Sequence, residues 1–526
     1  MIRILTTLIL SFSMVFAFAQ TPERWCGMNQ AESDLLIKQT AESIRLAEQG
    51  LTLRSGMITW VPVKWHIVAN NSGALGISET EVFEQMCAWN DFYADQDIQF
   101  YIDESGFNYI NSTAALNDPR TGGGLLQLTA AKQNHGGGRM NAFIVQAAGS
   151  IDNGDPNPDN WPSAAGYYSP ANDWIVIRKN DVQLSNETMN HEAGHFFGIS
   201  HTFRGWDFLP YNIGIHGNQA PAFSPNPQVR TENQDRTGSC SNCQTAGDLL
   251  CDTNPDYQLN VNFHTNNCDY NGDILDPCGV EVQPNVDNVM SYFFGCNLQE
   301  FTTQQKAVIS ANLNNRLQVG TINRNLEPAR IADVEAGDIT VISPMEGEVL
   351  TFNNVAHLDW EDVPGATKYV IDVDRFSSFG VQQERFFSDF SGLTLEDLNE
   401  NDDYYWRVYP YNTTSTCAGW SQVNSFTTGS GVTAVESISA IDKFTISPNP
   451  VNNQSAVNVR LNVSETFDGT LSIRDITGRL VMERAESFNA GNNNFEFSTR
   501  DLQNGIYLVS VRTETGVNTA KLIVSK

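Results

Sequence analysis

His191 to His201 read H-E-x-x-H-x-x-G-x-x-H, and no other stretch of the chain limits its possible folds so tightly. His191 and His195 stand four residues apart, so on a helix both imidazoles leave one face about a turn apart and can grip one metal ion. Glu192 sits one position on, where it reaches a metal-bound water without being a ligand. Gly198 can take the backbone angles that end the helix and turn the chain, which returns His201 as a third nitrogen ligand. Three neutral imidazoles suit zinc and leave a fourth position open, the mark of a catalytic site. Chance supplies a bare H-E-x-x-H on the order of once in a hundred chains of this length, and Gly198 with His201 lowers that by about a thousandfold.

The rest of the chain must carry this helix in an exported setting. Met1 to Ala19 opens with Arg3, continues in a largely apolar run from Ile4 to Phe18, and ends in Ala17-Phe18-Ala19, a small-x-small cleavage pattern. Residues 1–19 therefore read as a signal peptide, with a mature start near Gln20. The 526 residues exceed one compact domain. Lys and Arg number 31 against 61 Asp and Glu, a net charge of −30, which excludes nucleic acid as a partner by repulsion from its phosphates. Of nine cysteines, six (Cys240, Cys243, Cys251, Cys268, Cys278 and Cys296) crowd one region, as in a disulfide-stapled, loop-rich segment. Nine is odd, so at least one thiol stays free or pairs outside the chain. Cys240-Ser241-Asn242-Cys243 lacks a thioredoxin-like context and reads as a structural bridge.

Thr21 to Arg54 has a sparse helical stripe (Leu35, Leu36, Ile44, Leu46) and follows Arg24-Trp25-Cys26-Gly27. A thiolate is a strong zinc ligand, so Cys26 can hold the site inactive; the alternative is an ordinary cysteine, paired with Cys87. Residues 20–56 are read as a propeptide, cut near Arg54-Ser55-Gly56. Strands are expected at Trp60–Val68, Ile98–Ile102, Met140–Val145 and Trp174–Ile177, with a helix over Glu79–Asp95, a polar loop at Asp152–Pro162 and the zinc helix over Thr188–Phe197. This is an α/β order, with a twisted sheet above the cleft. After His201 the chain is irregular to about residue 290, and cross-links there replace a regular core. A helix capped by Thr302 or Thr303 then runs to about Leu317.

The zinc motif with a downstream methionine turn is the metzincin pattern, and within it the chain resembles the pappalysin group of secreted metalloproteases. Asn288-x-Met290-x-Tyr292 resembles that group's methionine turn, and Gly247-Asp248-Leu249-Leu250-Cys251-Asp252-Thr253 its G-D-x-x-x-D-T segment. The resemblance covers about residues 57–325 and implies the bridges Cys251–Cys278 and Cys268–Cys296. It implies that Met290 floors the zinc ligands, that Tyr292 hydrogen-bonds the tetrahedral intermediate, that Cys26 is a latency ligand, and that structural calcium draws on the loop of Asp248 and Asp252. Ser291 stands where relatives often carry aspartate, and Phe293 and Phe294 where they carry acidic residues. A preference for cleaving beside arginine is therefore not carried over, and a less basic one is expected.

Residues 327–338 read as a linker. Residues 339–428 alternate like sandwich strands around Trp360, Tyr369–Val373, Tyr404–Val408 and Phe426, and resemble a fibronectin type III-like domain, read as a spacer or as a binder of substrate or carbohydrate. After a second linker at 429–441, residues 444–526 form short strands around Ser447-Pro448-Asn449-Pro450 and Gly505-Ile506-Tyr507, and resemble the C-terminal sorting domain of the type IX secretion system. The expectation is a multidomain protein: an α/β (α+β) metzincin-like protease domain at 57–326, then two all-β sandwich domains. It is a secreted or cell-surface zinc endopeptidase of a Gram-negative bacterium, engaging the type IX machinery through its tail and acting as a monomer on protein or peptide substrates. Zn2+ sits on His191, His195 and His201, with Glu192 as general base. The rival is an inactive metzincin-fold adhesin, against which the intact Glu192 speaks.

Overall fold

A computed structural model describes residues 26–149, 163–182, 187–225, 228–260, 264–265, 268–293, 296, 299–326, 328, 331–335, 337–380, 382–431, 438, 440–451, 456–500, 502–513 and 516–525. The expected signal peptide at 1–19, Arg24 and Trp25, the expected polar loop at Asp152–Pro162 and Phe294 lie outside the described residues. No helix among the described residues is long and apolar enough to cross a membrane.

The first body is a sheet flanked by helices. Helix α1 (Gln30–Glu48) begins with a capping box, in which Asn29 and Glu32 satisfy each other's backbone amides. Then follow β1 (Thr59–Ala69), α2 (Glu79–Phe92), β2 (Ile98–Ile102), β3 (Asn108–Asn111), α3 (Thr113–Asn117), α4 (Gly122–His135), β4 (Met140–Val145), β5 (Gly166–Ser169), β6 (Trp174–Arg178) and α5 (Thr188–Phe196). The strand order is β2-β1-β4-β6-β5, with β3 also on β1. All pairs are parallel except β5, which closes the edge antiparallel to β6. Nine of the eleven residues of β1 are buried, as a central strand covered on both faces demands. The motif helix α5 packs on β5 and β6, and all nine of its residues are buried.

A long helix, Thr303–Val319, capped by Thr302 with Gln305 in another capping box, closes the body beneath α5. Its buried Arg316 donates to the Phe196 carbonyl at 2.7 Å and to Asp173 at 2.8 Å, and its guanidinium lies 3.8 Å from the Phe196 ring centre. A cation at the carbonyl end of α5 satisfies an orphan acceptor and holds the helix in place.

Between α5 and the long helix the chain is irregular and cross-linked, as expected, but the pairing corrects the one inferred. Cys251 bridges to Cys243 and Cys278 to Cys240, with Cα separations of 5.1 and 6.4 Å. The implied Cys251–Cys278 bond is therefore absent, and Cys240 and Cys243 do not bridge each other. Cys268 bonds Cys296. Cys87 pairs with Cys417, 330 residues on, which leaves Cys26 as a free, buried thiol.

Two all-β units follow. The first combines a five-stranded and a three-stranded sheet between Val341 and Thr427 around Trp360, Tyr369 and Trp406; the second combines three- and four-stranded sheets between Ile441 and Val524. The stretch expected to be a linker is docked: Val334 is buried and its amide donates to Ser415, while Asn412 donates to the Ala332 carbonyl.

Candidate metal centre

Helix α5 delivers His191, Glu192 and His195; the chain then turns at Gly198, whose φ of +87° suits glycine, and brings in His201. The Nε2 atom of His201 lies 3.2 Å from that of His191 and 3.1 Å from that of His195. Each ring's other nitrogen is spoken for. Nδ1 of His191 donates to the Val289 carbonyl and Nδ1 of His195 to the Ile199 carbonyl, both at 2.7 Å, and Nδ1 of His201 donates to Asp207 at 2.7 Å. Those acceptors force the proton onto Nδ1, so three bare Nε2 lone pairs face one another. Such lone pairs repel unless a cation lies between them. Two nitrogens about 2.05 Å from a tetrahedral zinc stand about 3.3 Å apart, close to the spacing found. Burial pushes His191 down to about 3 and His195 well below its ordinary value, so the rings stay neutral, as ligands must. The donor set and its hydrogen-bonded surround fit zinc.

Cys26 completes the cluster. Its sulfur lies within 4.8 Å of the three histidine ligand atoms and 3.6 Å from Glu192 Oε2. Burial, then the Glu192 charge, pushes the Cys26 thiol well up. The Cys26 segment adds to the edge of β5: Cys26 bridges Gly166 in parallel, and the Gly27 amide donates to the Gly166 carbonyl at 2.7 Å. Glu192 is fully buried beneath that edge, Oε1 meets no hydrogen-bond partner, and burial lifts its carboxyl to about 8.

Met290 is fully buried under the motif helix, and a β-carbon at Gly194 would come within 2.5 Å of its sulfur. The turn can pass this close only because that position is glycine. Tyr292 reaches the centre: its hydroxyl accepts from the Cys26 amide at 3.0 Å and lies 3.4 Å from His201 Nε2. Ser291 donates at 2.6 Å to Asp256, which also takes the Thr202 hydroxyl, and so ties the turn to the segment after His201. Phe293 is buried in a separate aromatic cluster around Trp206, Tyr211 and Tyr257.

The two acids offered for calcium separate. Asp252 accepts from the Thr302 hydroxyl and the Gln304 amide and so caps the long helix. Asp248 is buried beside Glu232; Asp248 Oδ2 and Glu232 Oε2 have no hydrogen-bond partner, and burial lifts Asp248 to about 7. Asp207, Glu232 and Arg120 escaped the sequence analysis. Asp207 follows the third histidine by six residues, but no fixed spacing marks it.

The comparisons with known proteins follow this division. Residues 445–525 match the secretion system C-terminal sorting domain. The chain is 27% identical over 214 residues, 38% of its own length and 72% of the relative's, to an extracellular metalloprotease of Colletotrichum graminicola, and 26% identical over 209 residues, 37% and 70%, to an extracellular metalloprotease of Pyricularia oryzae. Among solved structures, promirolysin of Tannerella forsythia matches 58% of this chain and 98% of its own at 15% identity and a TM-score of 0.36. The chain is thus similar to extracellular metalloproteases, and its C-terminal sorting domain marks it as a secreted or cell-surface protein.

Proposed function

We propose that this protein is a secreted zinc endopeptidase made in latent form. The observation that carries the proposal is the convergence of three Nε2 lone pairs beside a buried, half-unpartnered Glu192. Zinc held by His191, His195 and His201 would polarise the scissile carbonyl and make an attacking water acidic. Glu192 orients that water, takes its proton during attack and passes it to the leaving amine. Its low-dielectric surroundings favour the protonated form once the proton arrives. The Tyr292 hydroxyl, beside His201, donates a hydrogen bond to the oxygen that gains charge. The Met290 turn holds α5 from below. Cys26 belongs to a prosegment (residues 20–56): its sulfur would join the three histidines in holding the metal, and its backbone covers the β5 edge, so substrate enters only after the segment leaves.

The test is Glu192→Gln. The variant is expected to fold and to retain about one zinc per chain, while casein cleavage by the processed protein falls by several orders of magnitude. Near-normal cleavage would sink the assignment.

Structural calcium fits Glu232 and Asp248 rather than Asp248 and Asp252. The two buried acids there keep bare carboxylate oxygens, which suit a hard cation, with the Arg236 guanidinium on Glu232 and that of Arg204 also acting on Asp248. Calcium raises the unfolding temperature of the wild type and not of Glu232→Gln; equal responses would remove the site.

A further inference from the structure

Arg120 lies between α3 and α4, against the β5 edge. Its guanidinium sits 3.5 Å from the Tyr167 ring centre, one residue beyond Gly166, the β5 position that pairs with the Cys26 segment. Nη2 donates to the Gly27 carbonyl, and Nη1 pairs with Glu32 Oε2 at 3.1 Å; both side chains are largely buried. Every partner of the guanidinium named here besides Tyr167 belongs to the prosegment. The nearby Asp118 is turned elsewhere, taking the Thr121 hydroxyl and the Arg120 backbone amide. Release of the prosegment therefore takes away both the carbonyl and the carboxylate, while the cation stays charged and fixed flat against Tyr167. After release Glu192 still feels the Arg120 charge, but no carboxylate named here is hydrogen-bonded to its planar fork, which matches one.

We infer that Arg120 is a specificity-determining residue: in the processed enzyme it binds an aspartate or glutamate side chain next to the scissile bond of the substrate, and Glu32 is the stand-in for that carboxylate. This rests on the peptidase function proposed above. The net charge of −30 opposes acidic peptides at a distance, so the preference comes from contact and not from steering.

The experiment uses the full chain after limited proteolysis has removed the prosegment. Quenched peptides differ only by Glu, Gln or Lys, placed in turn at each position flanking the cut. At one position kcat/KM is expected to favour Glu by about tenfold or more, the worth of a charged hydrogen bond. Arg120→Gln brings that ratio to about one, and Arg120→Glu reverses it in favour of Lys. Should these variants fail to fold, the wild-type ratio decides alone, and Glu32→Gln in the intact chain, which leaves the cleft residue in place, is expected to speed prosegment release. Cleavage of casein and of the peptides with ratios within twofold at every position overturns the inference and leaves the peptidase function standing. No cleavage of any substrate by processed wild type overturns both.

Discussion

Two neighbours lie against the protease body, helix α1 before it and the β-sandwich after it, and they are attached by different chemistry. The buried stripe of α1 is Glu32, Ser33, Leu36, Thr40, Ser43 and Leu46, four of the six polar. Only Leu36 of that stripe joins the hydrophobic core; the other contacts are polar: the Glu32–Arg120 ion pair, Thr40 with Ser200 at 3.0 Å and Asn312 with Ser43 at 3.0 Å, and just after the helix the Leu53 amide donates to Ser310 at 2.8 Å. The sandwich instead puts Tyr409 and Tyr411 on Phe83, with ring centres 5.6 and 4.5 Å away, lends Val370 and Tyr409 to the same hydrophobic core, and adds the Cys87–Cys417 bond. A hydrogen bond nets about 1 kcal/mol because water replaces it, whereas a buried aromatic ring contributes several. The first attachment suits the release proposed above, and the second suits permanence. A sandwich so fixed is part of the protease, not a loose spacer.

Several measurements can break this contrast. Phe83→Ala, which empties the shared aromatic cluster, is expected to cost about 4 kcal/mol in urea unfolding. Cys87→Ser together with Cys417→Ser is expected to cost about 3 kcal/mol and to lower the melting temperature, since a closed loop of the unfolded chain opens. Cys26→Ser leaves stability near wild type and gives the uncut chain measurable casein cleavage, because the hydroxyl is a far weaker zinc ligand than the thiolate. Thr40→Val costs about 1 kcal/mol or less and shows itself as faster prosegment release on a gel. If Phe83→Ala were as mild as Thr40→Val, the two attachments would be alike.

The histidine cluster was legible in the sequence because its spacing along one helix is fixed by 3.6-residue geometry, and the strands at 59–69, 98–102, 140–145 and 174–178 because buried β-branched runs are conspicuous. It hid β5, four residues (Gly166–Ser169) too short to show a period, and α4, whose opening Gly122-Gly123-Gly124 masks a helix. The α1 stripe was drawn through Leu35, which is exposed, because the face that packs is mainly polar. Disulfide partners followed distance and not order: Cys240 and Cys243 lie close to Cys278 and Cys251, which no pattern in an irregular segment announces. Asp207 and Arg120 act through space, on a neighbour six residues away and on a helix nearly ninety residues upstream.

The bond between Cys87 and Cys417 also has a consequence for endurance. Those two sulfurs close a ring that spans the motif helix, the methionine turn and most of the sandwich. One backbone scission anywhere from residue 88 to 416 opens the ring but frees no fragment, so a clipped molecule runs at full length on a gel without reductant and splits only when thiols are added. A secreted protein that shares its surroundings with proteases can thus be cut once and remain in one piece.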